Sequence, residues 1–255
     1  MKKSLGRNIA SILVFLGVLV VWDLASKAIG KELFLPSPMR TFEAVKTLYL
    51  TDSLFKHLGA TFGRVSLAIL ITAAIALPLG MAIVWCKPVN IILGPIVRSL
   101  RYIPTNVFSP LLVLLLGIDE TMKITFLVIT TFFAYLPVVT QTCSEADAEI
   151  RETAYTNGFS YVRTIFCVML PYLLPSLIKA LITTYGTGWN SVIIAEVNNT
   201  QYGLAHLIYI GSARGRTATV YAAIVIIIAV SFIFDKVANF IVKRVFKWRF
   251  LKENA

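Results

Sequence analysis

Residues 149–171, EIRETAYTNGFSYVRTIFCVMLP, interrupt a chain that is otherwise apolar nearly from end to end. Residues 145–157 read as a short polar helix with acid at its start, where the helix dipole favours negative charge. Gly158 follows the last helical position, where a left-handed residue ends helices and glycine has no Cβ to strain. Ser160 is placed to cap a second helix that runs through Pro171 and Pro175 back into apolar sequence. The expectation is a helix–turn–helix at a membrane surface, with exposed side chains that suit a partner.

The rest of the chain says why a membrane is involved. Of 255 residues, 57% are hydrophobic and 15% charged, and the mean hydropathy is +0.78. Soluble domains carry about a quarter charged residues. A helix needs about 20 mostly apolar residues to cross a bilayer, and such stretches recur near 8–25, 60–85, 105–122 (ending near Gly117), 123–142, 172–196 and 218–242. The intervening loops leave no room for a soluble domain. The fold class expected is all-α, a polytopic membrane protein with about six transmembrane helices. Residues 1–255 form one domain in this reading. A first helix and outer amphipathic segment occupy 1–58, and a five-helix core fills 59–245.

Lys2, Lys3 and Arg7 precede the first span, and Ser26-Lys27-Ala28 is a poor cleavage site, so the span reads as a retained anchor rather than a signal peptide. The positive-inside rule then places both termini in the cytoplasm, with Lys243, Arg244, Lys247 and Arg249 at the other end. Lys87, Arg98 and Arg101 fall on the same side. The stretch 26–58 runs against the rule with Lys27, Lys31, Arg40, Lys46 and Lys56. A net charge of +11 is accounted for by anionic lipid, without nucleic acid. The tail KRVFKWRFLK suits a membrane surface. Cys86, Cys143 and Cys167 lie at span ends expected to face a reducing compartment, and read as structural thiols.

Several chemistries are missing. There is no GxxxxGK[ST] loop, since Gly30-Lys31 is followed by Glu32, so the chain shows no means of binding ATP. His57 and His206 are expected far apart, both near the outer face, and neither suggests a zinc site. Neither HExxH nor GxSxG occurs, and no catalytic residue is expected. Ion-driven transporters usually keep ionisable groups at mid-membrane. Lys179 can snorkel, Asp235 and Lys236 lie near a span end, and the middle of the bundle reads as neutral.

The spacing within the interruption carries a resemblance. Glu152-Thr153-Ala154, three residues, Gly158, nine residues, then Val168-Met169-Leu170-Pro171 resembles the EAA-x3-G-x9-I-x-LP motif of ABC importer permeases. Thr153 and Val168 depart from it conservatively. LPSP at 35–38, Arg101 with Ile103-Pro104, Ser109-Pro110-Leu111, Leu116-Gly117-Ile118, and Trp189 with Ala195-Glu196 are similar to the nitrate/sulfonate/taurine/bicarbonate group. The resemblance implies a type I importer (MetI-like) fold with a coupling helix near 145–160. Glu152, Thr153, Ala154, Gly158, Leu170 and Pro171 would form the docking element for an ATP-binding cassette subunit. It further implies two such subunits holding ATP and Mg, a second permease copy in a homodimer, and an external solute-binding protein. No cofactor would be bound by this chain. The solute would be a small anion or zwitterion such as nitrate, a sulfonate, taurine or bicarbonate, with a heterocyclic vitamin or pyrimidine precursor as the alternative.

Irregular or polar backbone at membrane depth marks a lined cavity or a buried contact. Thr105, Asn106 and Ser109 sit where prolines break the third span. Thr183, Thr187, Asn190 and Ser191 recur at helical spacing in the fifth and read as one face, although small and polar residues also glue helices together. Gly59 and Gly63 read as packing. Glu196, at the outer end of span five, reads as a residue orienting an outer gate, and Arg214 and Arg216 as solvated loop charges. Two other classes remain: a self-sufficient secondary transporter, which needs charges within the membrane, and a scaffold that anchors a soluble partner without moving solute.

Overall fold

A computed structural model describes residues 2–51, 54–146, 148–197 and 200–250, the side chains of 2–12, 51, 249 and 250 excepted. Asp147 of the interruption and Leu251 and Lys252 of the basic tail lie outside the described residues, as do the side chains of Lys2, Lys3, Arg7 and Arg249. The described chain is helical, with no strand among the described residues. In order the helices are α1 (Lys2–Ile29), α2 (Pro38–Thr51), α3 (Leu54–Trp85), α4 (Lys87–Leu100), α5 (Phe108–Leu116), α6 (Glu120–Ser144), α7 (Ala148–Thr156), α8 (Tyr161–Thr164), α9 (Leu170–Val197), α10 (Leu204–Ala213), α11 (Thr217–Val245) and α12 (Lys247–Phe250). A 3₁₀ turn covers Thr105–Val107 and a π-helical segment Ile165–Met169.

Among the described residues, four helical segments are long and apolar enough to cross a membrane: Leu54–Trp85, Glu120–Ser144, Tyr161–Val197 and Thr217–Val245. The third span, expected near 105–122 with prolines breaking its start and an end near Gly117, is a bent pair. Lys87–Leu100 and Thr105–Leu116 form a pair bent by 89°. Cys86 in extended geometry opens α4, with proline in the first turn. Pro104 closes it, because the residue before a proline is disfavoured in helix. Gly117 at φ 75 ends α5. Asp119, extended, starts α6 at Glu120 rather than at 123. At 1.5 Å per residue, the nine residues of α5 reach only about 14 Å, less than half the roughly 30 Å hydrocarbon core.

The chain divides into two compact units. In the unit made of residues 1–61 and 199–229, LPSP folds back on α1: Trp22 Nε1 donates to the Pro36 carbonyl at 3.0 Å and Ser26 Oγ to that of Leu35 at 2.9 Å. Ser37 caps α2 by accepting from the Arg40 N–H, with Pro38 at the first helical position, where a missing N–H costs nothing. The start of α10 is held by Thr61 Oγ1, which accepts from the Leu204 N–H at 2.9 Å, and the separation expected of the two histidines is corrected, since the rings of His57 and His206 stack with centroids 5.6 Å apart.

In the unit made of 62–198 and 230–255, α6 packs along α9 and is also met by α4 and α5. The core contains Ala76, Met81, Tyr135, Leu136, Val139, Leu173 and Leu177. Two glycines decide how closely the helices approach. A Cβ on Gly80 would lie 2.5 Å from Val139 Cγ1, and one on Gly188 would lie 2.9 Å from Val65 Cγ1. Among the described residues nothing lies within 4 Å of a Cβ at Gly59 or Gly63, where packing was expected. Polar pairs bridge spans as well: Thr72 with Thr131 at 2.7 Å, and Tyr135 Oη donating to the Leu177 carbonyl at 3.0 Å.

Candidate functional site

The interruption folds as α7, a tight turn and α8. The polar helix is shorter than the expected 145–157, because Glu145 is the C-cap of α6 and α7 runs Ala148–Thr156. Glu149 occupies its first turn. Its end is the expected left-handed glycine. Gly158 has φ 80, its N–H bonds the Tyr155 carbonyl at 2.9 Å, and the Phe159 N–H reaches the Ala154 carbonyl at 3.1 Å. That pair of bonds is the Schellman arrangement, in which glycine relieves the strain of positive φ. Ser160 occupies the N-cap position of α8 but makes no side-chain capping bond, so the capping expected of its hydroxyl is corrected. The Ser160 carbonyl instead accepts the first helical bond, from Thr164 at 2.8 Å.

Beyond α8 the helix widens. The Leu170 N–H bonds back to the Ile165 carbonyl, five residues earlier. Pro171 follows, which has no N–H to donate and crowds the preceding turn. The π segment runs on into α9, so Tyr161–Val197 is one span of 37 residues. Tyr161 donates to the Trp85 carbonyl and ties α8 to the end of α3.

Of the docking residues read from the motif, Glu152, Thr153, Gly158 and Pro171 are exposed and Leu170 is half-buried. Ala154 is buried at 6% exposure; it seats α7 rather than facing outward. Between α7 and the π segment lies a cavity of about 620 Å³ lined by Glu149, Thr153, Asn157, Phe159 and Val168, among others.

The residues read as a path do not all meet. Thr105 and Thr187 line one cavity of about 380 Å³ with Arg101, Thr130, Phe133 and Gln141. Asn106 is exposed, Ser109 is buried, and neither lines it. On α9, Lys179, Thr183, Gly186 and Asn190 are exposed at spacings of four, three and four, a polar stripe along one side. Ser191 is buried, one residue and about 100° around the helix from Asn190, so the single face expected for all four residues is corrected.

Glu196 lies in a different setting. Its carboxylate is 2.6 Å from Arg64 Nη1, and the two side chains are 0% and 8% exposed. Arg64 also holds Glu120 through Nε at 2.6 Å and Nη2 at 2.7 Å, the two-pronged geometry that guanidinium offers a carboxylate. Lys123, 4% exposed, meets Glu120 at 3.2 Å. Ion pairs thus join α3, α6 and α9 at the start of α6 and the end of α9, away from the middle of the bundle. Sequence reasoning passed over both cations, although a charge inside an apolar span implies a partner.

Comparison with known proteins decides what this bundle is. Residues 74–247 match the family model for the binding-protein-dependent transport system inner membrane component. The chain belongs to this family. It is a permease of the ABC importer class, a multi-pass inner-membrane protein that works with an ATPase subunit and a binding protein. The permease is 27% identical over 236 residues to a Bacillus subtilis protein that carries the name aliphatic sulfonates transport permease SsuC, covering 91% of this chain and 84% of that one. It is 27% identical over 252 residues to the taurine transport system permease TauC of Escherichia coli, covering 96% and 91%. An inward-facing structure of the MetNI methionine ABC transporter superposes with a TM-score of 0.68 at 18% identity, over 77% of this permease and 97% of that chain. The fold is therefore that of an ABC importer permease.

Proposed function

We propose that this permease carries a small sulfonate-type anion or zwitterion, taurine among them, inward across the membrane by alternating access. The two relatives named for sulfonates and taurine support that solute class. In this reading two copies of the chain form the path, each with its own ATPase subunit, and each copy acts as one domain over 1–255 with its docking element near 145–160. ATP and Mg are held by the ATPase subunits, the permease itself has no enzymatic site, and both termini lie in the cytoplasm.

The observation that carries the docking assignment is the turn at Gly158. The exposed α7 is closed by a left-handed residue and continues, through α8 and the π segment, into the span Tyr161–Val197. In this reading a push on α7 passes through the Gly158 turn, α8 and the π segment to α9, and α9 carries Thr183, Thr187 and Asn190 to the path. The buried pairing of Glu196 with Arg64 fixes the far end of α9 against α3, in keeping with a role in orienting the outer gate.

The test is reconstitution of the full complex in proteoliposomes with its binding protein. Taurine or an alkanesulfonate should stimulate ATP hydrolysis and accumulate inside the compartment facing the ATPase. Stimulation by neither solute class overturns the substrate assignment. Uptake without the ATPase subunit overturns the mechanism.

A further inference from the structure

On the other wall of Arg101 lies a second cavity, about 260 Å³, at the end of α6 that precedes α7. It shares Arg101, Pro137 and Gln141 with the path cavity. Its walls are one face of α4, with Asn90, Gly94 and Arg98, and one face of α6, with Thr140 and Ser144.

The hydrogen-bond inventory of this cavity is lopsided. Thr140 Oγ1 donates to the Pro137 carbonyl at 2.9 Å and Ser144 Oγ to that of Gln141 at 2.9 Å. Asn90 Nδ2 donates to the Ile83 carbonyl at 2.9 Å, and Gln141 Nε2 to Glu145 Oε1 at 2.8 Å. The hydroxyl hydrogens are spent on backbone. Arg98 and Arg101, both exposed, add ten guanidinium N–H donors to this wall, five on each, more than the amide and hydroxyl oxygens of Asn90, Gln141, Thr140 and Ser144 can accept. Neither arginine meets a carboxylate within 4.0 Å among the described residues, in contrast to Arg64 and Lys123 at the opposite end of α6.

Arg98 and Arg101 are three residues apart, and Arg101 keeps helical geometry at φ −62, ψ −19. Cβ atoms at that spacing are about 5–6 Å apart on one face, so both forks can meet over a single anion. Arg98 lies back along α4 toward Gly94, with Nη1 3.7 Å and Asn90 Oδ1 3.4 Å from where a Cβ on that glycine would sit. The C-terminal dipole of α4 favours cations in its last turn and accounts for one arginine at a surface. It does not account for two, facing a cavity whose other wall is polar.

We propose that this cavity binds a small tetrahedral oxyanion, a sulfonate, sulfate or phosphate group, held between Arg98 and Arg101. A guanidinium fork matches such oxygens two at a time, and two forks suit a group with three of them better than a carboxylate with two. The group is either that of a free solute leaving the path past Arg101, or the phosphate of an anionic lipid at the membrane edge. The proposal rests on the preceding reading only for the side of the membrane to which the cavity opens.

The test replaces Arg98, because Arg101 also borders the path. The intact permease–ATPase complex is placed in nanodiscs of phosphatidylcholine alone, and radiolabelled sulfate binding is measured. In parallel, native mass spectrometry counts phosphatidylglycerol retained by complex from nanodiscs that contain it. Sulfate should bind saturably, Arg98→Gln should weaken it at least about tenfold through loss of charge-assisted bonds, and Arg98→Lys should fall between. Arg98-dependent sulfate binding identifies a free-anion site. Arg98-dependent retention of phosphatidylglycerol alone identifies a headgroup site, the same chemistry from the other source. Sulfate binding and lipid retention that are both indifferent to Arg98→Gln overturn the proposal, and Arg98→Lys serves the same comparison if the glutamine variant does not assemble. Failure of taurine uptake with Arg98-dependent sulfate binding intact counts against the solute reading and leaves this site standing.

Discussion

Arg64 and Glu196 meet at 2.6 Å across 132 residues of sequence, and both are buried. Removing one partner of a buried pair costs about 3–5 kcal/mol, because the other charge is left uncompensated. The two ends are not equivalent here. Arg64 without Glu196 still has Glu120, whereas Arg64→Met strips Glu196 of this guanidinium. Arg64→Met should therefore lower the thermal unfolding midpoint of purified permease more than Glu196→Gln does. The double variant Arg64→Met with Glu196→Leu should recover part of the loss. Equal losses from the two single variants would show that Glu120 does not share the charge of Arg64.

The turn at Gly158 separates backbone strain from crowding, since nothing lies within 4 Å of a Cβ there. An L-residue at positive φ costs roughly 1–2 kcal/mol, and asparagine less than a β-branched residue. Gly158→Asn should keep ATPase co-purification near the wild-type level, whereas Gly158→Val should weaken it with the spans still inserted. Glu152→Lys, which reverses charge on an exposed position of α7, should also weaken docking. Full co-purification and solute-stimulated hydrolysis in both Gly158→Val and Glu152→Lys would remove α7 as the coupling element.

Gly80 makes the opposite case, where space decides. Its added Cβ would sit 2.5 Å from Val139 Cγ1, and Val139 is fully buried. Overpacking of this kind costs typically 1–3 kcal/mol. Gly80→Ala should reduce the yield of folded permease, and Val139→Ala in the same chain should restore it. Independent, additive losses in a double-mutant cycle would mean that the two residues do not touch.

The cysteines report topology with a qualification that burial supplies. Cys143 is buried, while Cys86 and Cys167 are exposed, so silence at Cys143 carries no information about sidedness. If both termini are cytoplasmic, a membrane-impermeant maleimide should label Cys86 and Cys167 in inside-out vesicles and not in intact cells. Labelling of either from outside overturns the assigned orientation.

Local signals were legible because each depends on a few adjacent residues. Gly158 announces its own turn, and uninterrupted apolar runs announce α6, α9 and α11. The break of the third span at Pro104 and its end at Gly117 were legible for the same reason, whereas its 89° bend against Lys87–Leu100 depends on packing that no short stretch of sequence registers. Arg64, Lys123 and Glu196 could each be seen singly, but their pairing depends on three helices brought together by packing. Gly80 and Gly188 were equally opaque: what makes them necessary is a valine methyl on another helix. Thr187 and Thr105 were both picked as polar residues in spans, yet only tertiary structure puts them in one cavity and leaves Ser109 and Ser191 buried elsewhere.

The path reading is tested on adjacent residues of α9 that face different ways. Asn190 is exposed on the stripe with Thr183 and Gly186, and Ser191 is buried. If the stripe lines the path, Asn190→Leu removes a polar group from water and the solute while placing apolar surface in the lumen. It should leave folding, thermal stability and basal ATP hydrolysis near wild type and reduce taurine uptake several-fold. If the stripe faces lipid, the same change is favourable by the transfer preference of leucine and uptake should not fall. Ser191→Leu supplies the contrast, because an enlarged side chain at a packed position should lower stability first and uptake only in proportion to the folded fraction. The pair is read from uptake per folded complex in proteoliposomes, with the folded fraction taken from gel filtration. A normal rate for Asn190→Leu by that measure would place the solute path on another face of α9.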